Sequence, residues 1–100
     1  MKIFIVGAGT IGTYITELLN TEENDIKVID TNRLNLREIE DKLDVKTING
    51  NAVNYQFLKD ANVDDCDLFI AVAADDAVNL ISALTAKKLG AKKVIARVRN

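Results

Sequence analysis

The stretch that decides the fold is IFIVGAGTIG, which occupies residues 3–12. Its first four residues are wholly apolar and rich in β-formers, which is typical of a strand that is buried on both faces. Three glycines follow in the pattern G-x-G-x-x-G, and apolar residues then recur at helical spacing at Ile11, Ile15, Leu18 and Leu19. The stretch therefore predicts a buried strand, a tight turn and an amphipathic helix.

The glycine turn predicts a site for phosphate groups. Gly7 permits the tight turn, and Gly9 lets the backbone approach a pyrophosphate without a Cβ in the way. Gly12 allows the helix to pack closely on the strand. Free N–H groups of the first helical turn would then face the phosphates. The alternative interpretation of these glycines is a plain tight turn.

The rest of the chain alternates between strand and helix patterns. The expected strands cover 26–29 (with Asp30 at the end), 45–48, 68–72 and 93–98, and the 68–72 segment is apolar enough to be central. Between them, helices are predicted with inner faces formed by these apolar residues: Leu36, Ile39 and Leu43; Tyr55, Phe57, Leu58 and Ala61; Leu80, Ile81 and Leu84. Alternating strands and helices indicate a parallel sheet with right-handed crossovers.

We therefore predict an α/β fold, a three-layer, Rossmann-like, doubly wound parallel sheet. Its five strands should follow the order 3-2-1-4-5 with helices on both faces. Sheets of this kind commonly have a sixth strand, which we expect to be missing here. The last strand would then have an open edge, which a second copy could cover.

Length and composition narrow the functional classes. The chain has 100 residues, no histidine, one cysteine and a net charge of −2. Residues 1–100 fit one nucleotide-binding domain, an N-terminal piece of a longer protein, and are too few for a complete two-domain oxidoreductase. The charge disfavours nucleic-acid binding. The residue types exclude an internal disulfide, a Cys/His zinc site and His-based nucleophile systems.

The N-terminus also fits a soluble domain better than a targeting segment. Lys2 is followed by an uncharged stretch over 3–15, but glycines interrupt it and no cleavage-like stretch precedes the charged segment 22–25. No run approaches the roughly 18 to 20 apolar residues of a membrane helix. We expect an intracellular chain with no direct membrane insertion.

Asp30 is the acidic residue that the glycine pattern requires. It ends the second strand, about twenty residues beyond the turn, where a carboxylate can accept hydrogen bonds from the adenosine ribose. A carboxylate there would also repel a 2′-phosphate, which favours NAD(H) over NADP(H). The alternatives are a helix N-cap or a solvated strand end.

Three later strand ends face the same edge of the predicted sheet. Asn51 and Ala52 follow the third strand, where Asn51 would bond the adenine base or support the turn. The small Ala73 and Ala74 leave room for the pyrophosphate and nicotinamide side, although small residues are common at strand ends. Arg97 belongs either to a solvated basic face or to a contact with a ligand phosphate.

Two other features favour structural roles. Asp75 and Asp76 precede a helix and are expected to cap it rather than bind a metal. Cys66 has no histidine or basic neighbour in sequence, so a buried, unreactive thiol is favoured over a nucleophile. We predict no catalytic residue and no metal ligand.

Taken together, these segments resemble the family of N-terminal NAD-binding domains of TrkA-type potassium-uptake regulatory subunits, also called KTN or RCK N-terminal domains. The resemblance covers essentially the whole chain. It is carried by 7–12, 24–32, 57–61, 67–72, 79–80 and 95–100. The last of these, Ile-Ala-Arg-Val-Arg-Asn, is far more specific to the family than the glycine turn.

The resemblance implies a regulatory function rather than an enzymatic one. Such domains lie at the cytoplasmic face of potassium transporters as homo-oligomers, and bound NAD or NADH biases their conformation and so gates ion flux. Alternatives are ATP or ADP as the sensed ligand, and the excised NAD-binding domain of a dehydrogenase with its catalytic domain beyond residue 100. The candidate cofactor-binding residues are Gly7, Ala8, Gly9, Thr10, Ile11, Gly12, Asp30, Thr31, Arg33, Asn51, Ala52, Ala73, Ala74 and Arg97.

The chain departs from the family pattern at three positions. The family often has Asp at the position of Asn51, so this chain lacks a negative charge near the base. The family usually has Thr where this chain has Ala73, so this chain lacks a hydroxyl group there. It usually has Glu where this chain has Ala77. Each departure bears on the identity and affinity of the ligand more than on the fold.

Overall fold

The computed structural model describes residues 1–99 and contains five strands and four α-helices. The strands are β1 (Lys2–Val6), β2 (Asp25–Asp30), β3 (Lys46–Asn49), β4 (Leu68–Ala71) and β5 (Lys93–Ala96). The helices are α1 (Thr10–Leu19), α2 (Arg33–Lys42), α3 (Tyr55–Asp60) and α4 (Asp76–Leu89), with a 3₁₀ turn at Val63–Asp65. Asn100, which ends the family-like segment, lies outside the described residues.

All strand pairs are parallel, and the sheet order is β3-β2-β1-β4-β5, as predicted. Ile5 of β1 pairs with Val28 on one side and with Ile70 on the other. The middle strand of the sheet is therefore β1. The 68–72 segment, which was expected to be central, forms β4, an interior strand with a neighbour on each side. Because every strand runs in the same direction, the loops that follow the strands meet at one edge.

The two faces of the sheet have separate apolar cores. Phe4 and Phe69 stack with ring centroids 6.4 Å apart on the face that α3 and α4 cover. Ile3, Ile5 and Val28 point to the other face, where α1 and α2 pack. This arrangement confirms helices on both faces of a parallel sheet, which requires strands that are apolar on both sides.

The prediction for the inner face of α4 is wrong. Leu80, Ile81 and Leu84 are exposed, whereas the helix buries Asn79, Ser82, Ala83 and Ala86 against the sheet. Small side chains let a helix lie close to the strands beneath it, so large apolar residues are displaced to its outer side. The sequence pattern identified an apolar stripe but not which side faced the core.

The first helix shows the same effect. It buries Gly12 and Thr16, while Ile15 and Leu19 flank the contact and Ile11 and Leu18 are exposed. The hydroxyl of Thr16 donates to the carbonyl of Gly12 at 2.7 Å, so its burial leaves no unpaired donor. Only half of the expected apolar stripe therefore packs on the sheet.

The sequence also led us to expect no membrane-spanning helix and no sixth strand. Within residues 1–99, no helix combines the length and the apolarity that a bilayer crossing demands. The described sheet ends at β5. The expectation that a sixth strand is missing from this chain and the expectation of a longer parent protein remain predictions.

Candidate functional site

The loop after β1 has a backbone that only glycine accommodates at two points. Gly7 has a φ of +111°, and a Cβ there would stand 2.9 Å from the backbone nitrogen of Ala73. A Cβ on Gly12 would stand 1.7 Å from the carbonyl oxygen of Gly7. Gly7 therefore makes the turn and Gly12 allows α1 to approach it, which are the roles expected from the sequence.

Gly9 differs because its Cβ position is open: apart from the adjoining residues 8 and 10, no described atom lies within 4 Å of it. It is the N-cap residue of α1, and it supplies no side chain to the first helical N–H groups. The backbone ladder of the helix begins only with the bond from Thr13 N to Gly9 O, at 2.9 Å. The first turn of α1 therefore presents polar N–H groups beside open space, which suits an anion.

Asp30 ties two loops of the site together. One carboxylate oxygen accepts a hydrogen bond from Ala8 N at 2.8 Å, and the other accepts one from Asn32 N at 2.8 Å. Each oxygen has a further lone pair, so the carboxylate retains the capacity to accept from a ribose hydroxyl. Asn32, not Asp30, is the N-cap of α2, with its side chain accepting from Asn35 N at 3.1 Å.

These loops surround a cavity of about 470 Å³ at the carboxyl edge of the sheet. Its volume lies within the roughly 300–1,000 Å³ of small-molecule sites. The predicted residues that line it are Gly7, Gly9, Thr10, Ile11, Asp30, Thr31, Asn51, Ala52, Ala73, Ala74 and Arg97. Segments that are distant in sequence thus meet in one place, as the doubly wound topology requires.

Three predicted residues do not line the cavity. Ala8 is buried, and its N–H is engaged by Asp30. Gly12 packs against Gly7, so it shapes the turn rather than the cavity wall. Arg33 begins α2 with an exposed side chain. For these three the structure supports a role in holding or flanking the site, not in forming its surface.

The cavity also has lining residues that the sequence did not single out as ligand contacts. Asn32 and Asn35 lie beside Asp30, and Val78 lies on the first turns of α4. The signal for the two asparagines was their position just beyond β2, where the fold brings ligands. Val78 had no sequence signal, because it was placed on a helix whose orientation was predicted wrongly.

The charges at the site are sparse. Arg97 is partly buried directly after β5, where its N–H donates to Ala71 O at 2.9 Å. Asp75 lines the opposite loop, but its carboxylate is engaged in capping α4 by accepting from Ala77 N and Val78 N. The apolar walls, a few backbone donors and one cation are suited to binding a phosphorylated ligand.

The acidic pair at the start of α4 and the single cysteine lie in structural settings. Asp76 contacts Arg99, with 3.7 Å between the carboxylate oxygen and Arg99 Nε. No acidic or sulfur cluster within residues 1–99 has the arrangement of a metal site. Cys66 is buried, and this burial raises the pKa of its thiol to about 11.

The sequence of the chain matches the TrkA-N domain family over residues 3–100. It is 44% identical over its whole length to the Trk system potassium uptake protein TrkA homolog of Archaeoglobus fulgidus. It is 34% identical over 99% of its length to the Trk system potassium uptake protein TrkA of Halomonas elongata. The chain spans about a fifth of the length of these relatives, 22% in each case.

Solved structures share the fold at low sequence identity. The NAD(P)-binding domain of an exopolyphosphatase-related protein from Archaeoglobus fulgidus matches with a TM-score of 0.79 and 12% identity, over 93% of this chain and 70% of that one. The TrkA-N domain of an inner membrane protein from Escherichia coli matches with a TM-score of 0.65 and 18% identity, over 95% and 86%. The extent of the family match and the close relatives show that the chain belongs to the TrkA-N domain family.

Proposed function

We propose that the cavity binds NAD or NADH and that the chain is the nucleotide-sensing domain of a Trk-type potassium-uptake regulator. The observation that carries the proposal is the convergence of the glycine turn, Asp30 and Arg97 around one cavity. The turn offers backbone donors to a pyrophosphate, and Asp30 offers an acceptor to the ribose. Arg97 offers a cation to a phosphate oxygen.

NAD(H) is preferred to NADP(H) in this proposal. The Asp30 carboxylate already accepts hydrogen bonds from two backbone N–H groups, which fix its position. A 2′-phosphate on the ribose would bring a second negative charge to that position. ATP and ADP contain the same adenosine ribose without a 2′-phosphate, so the Asp30 carboxylate would not repel them at that position. They are the alternative ligands.

A regulatory role is favoured over a catalytic one. The residues that line the cavity include no histidine and no cysteine, and both of its carboxylates accept hydrogen bonds from backbone N–H groups that hold them in place. The matched relatives are named as potassium uptake proteins. The second candidate is the cofactor domain of a dehydrogenase, which the glycine turn and Asp30 fit equally well. UDP-N-acetylglucosamine 3-dehydrogenase from Acidithiobacillus ferrooxidans shares the fold (TM-score 0.71, 19% identity).

The cellular setting follows from the proposed role. We place the domain at the cytoplasmic face of the membrane, held there by a membrane-embedded potassium transporter subunit and assembled with further copies of itself. The ligand acts by a population shift, which requires that it bind one conformation of the assembly better than another. Potassium flux through the reconstituted transporter and the full-length regulator, with and without NADH, tests this setting.

The ligand is tested by titrating the chain with NADH, NAD, NADPH, ATP and ADP, using calorimetry. We expect NADH or NAD to bind more tightly than NADPH, and Asp30→Ala to weaken binding. Asp41→Ala is the matched control, because it removes an exposed carboxylate from α2, outside the cavity.

Each outcome bears on a separate part of the proposal. Failure of every adenine nucleotide to bind at millimolar concentration would reject a nucleotide sensor. Tighter binding of NADPH than of NADH would reject the role of Asp30. Turnover of NADH with a carbonyl substrate by the longer parent protein would favour the dehydrogenase.

A further inference from the structure

Asn79 is a fully buried polar residue in the first turns of α4, and its side chain makes three hydrogen bonds. Its Oδ1 accepts from Ala73 N at 2.8 Å. Its Nδ2 donates to Ala73 O and to Arg97 O, both at 3.0 Å. A buried amide is costly unless it is bonded in this way, so its position is strongly determined.

One end of this network is a wall of the candidate site. Ala73 lines the cavity, and Asn79 holds both its backbone N–H and its carbonyl. The same backbone segment is in close contact with Gly7, where an added Cβ would come within 2.9 Å of Val72 O and Ala73 N. Fixing Ala73 therefore also fixes the surface on which the glycine turn rests.

The other end is the segment that leaves β5. Arg97 is bonded at its N–H to Ala71 O and at its carbonyl to Asn79 Nδ2. Its position after the strand places its side chain at the cavity. The Asn79 amide thus links, through one rigid group, the loop after β4 and the residue after β5.

We propose that Asn79 is a positioning residue for the nucleotide site, holding the Ala73 wall and the Arg97 backbone in the arrangement that binds the ligand. The inference rests on the proposed function, and it adds a route between the ligand and the chain after β5. A displacement of that segment would break the bond to Arg97 O and loosen Ala73. By linkage, ligand binding would oppose the same displacement.

The closest substitution in shape is Asn79→Asp. A carboxylate can accept from Ala73 N, but it cannot donate to the carbonyls of Ala73 and Arg97, which would face it without a donor. We expect affinity for NADH to fall about tenfold in folded protein, the effect of leaving buried carbonyls unpaired at a binding site. The carbonyl ¹³C signals of Ala73 and Arg97 should also move in the ligand-free variant.

Ser82→Ala is the matched control in the same helix. Ser82 is also fully buried, but its hydroxyl donates to Asn79 O inside α4, at 3.3 Å, and does not line the cavity. We expect this variant to lose stability with wild-type affinity for NADH. If Asn79 had a merely structural role, Asn79→Asp would also lose stability and keep wild-type affinity for NADH. That result would overturn the proposal.

The experiment separates this proposal from the function on which it rests. If the wild-type chain binds no nucleotide, the proposed function fails, while the ligand-free carbonyl signals still report on Asn79. Unchanged signals at Ala73 and Arg97 in a folded variant would overturn the positioning role. If neither Asn79→Asp nor Asn79→Ala folds, NADH is added to the wild-type chain, and an unmoved Asn79 side-chain amide signal overturns the inference.

Discussion

At the scale of single residues, Gly9 and Gly12 belong to one motif but serve different physical needs. A Cβ on Gly12 would collide with the rigid carbonyl of Gly7, whereas a Cβ on Gly9 would meet open space. The motif that the sequence displays as a unit is therefore divided in the fold. One glycine is needed for packing, and the other leaves space in the cavity.

A matched pair of substitutions tests this division. We expect Gly12→Ala to lower the free energy of unfolding by about 3 kcal/mol or more, because the obstacle is backbone that cannot move aside. Gly9→Ala should change it by less than about 1 kcal/mol and instead weaken NADH binding. Urea denaturation and calorimetric titration measure the two effects, and equal destabilisation by both substitutions would contradict the division.

The thiol of Cys66 gives a prediction about pH. Burial is the main cause that raises its pKa from 9.0 to about 11, and the neighbouring Asp67 carboxylate adds to the shift. The protonated thiol is favoured in the folded state, so its contribution to stability is complete below pH 9 and is lost as the pH rises through about 11. At pH 8 we expect iodoacetamide to label Cys66 only when the chain unfolds.

The alkaline loss is measured by comparison with Cys66→Ala, because this variant lacks the thiol but keeps the other titrating groups. Urea denaturation at pH 8 and pH 10.5 should show a larger loss of stability in the wild-type chain than in the variant. Rapid labelling at pH 8 under native conditions would show instead that the thiol is accessible.

At the scale of elements, the two faces of α4 should respond oppositely to changes in size. Leu84 is 70% exposed, so Leu84→Ala should change the free energy of unfolding by no more than about 0.5 kcal/mol. Ala86 is fully buried against β4 and β5, so Ala86→Leu should cost about 1–3 kcal/mol through overpacking. Thermal denaturation of both variants measures the difference, and the reverse order would restore the sequence-based orientation of the helix.

The sequence was most informative about elements and least about helix orientation. Strands such as 3–6 and 68–72 were recognisable because both faces are apolar, and the glycine turn fixed where the first helix begins. The orientation of α4 was missed because its contact consists of Ser82, Ala83 and Ala86, whose small side chains carry little apolar signal. The stronger signal of Leu80 and Leu84 comes from the outer side.

The candidate site was predicted where it depends on topology and missed where it depends on packing. Asp30 and Arg97 lie at strand ends, and the doubly wound order brings such ends together. Val78 and Asn79 lie on a helix whose rotation the pattern did not give. The engagement of Ala8 N by Asp30 was also invisible, because it depends on the path of the backbone.

At the scale of the whole molecule, the cavity touches loops that follow every strand of the described sheet. A ligand there should therefore stabilise the domain as one unit. At a hundred times its dissociation constant, NADH should add about 2.7 kcal/mol to the free energy of unfolding. For a chain of this size, that corresponds to a rise in Tm of about 10–20 °C.

Thermal denaturation with and without NADH measures the rise. Gly9→Ala at the same NADH concentration is the control, because this substitution is expected to weaken NADH binding while leaving stability nearly unchanged. Its Tm should therefore rise less than that of the wild-type chain. A rise of the same size in this variant, or none in the wild-type chain at saturation, would contradict the link between cavity and stability.

The position of β1 in the middle of the sheet has a consequence during synthesis. Its partner β2 follows after a single helix, but its other partner, β4, begins only at Leu68. At roughly 5–20 residues per second, the ribosome needs about 3–12 s to make the intervening chain. During that interval the edge of β1 that later pairs with β4 has no partner strand, and we expect nascent chains halted before β4 to be held by chaperones.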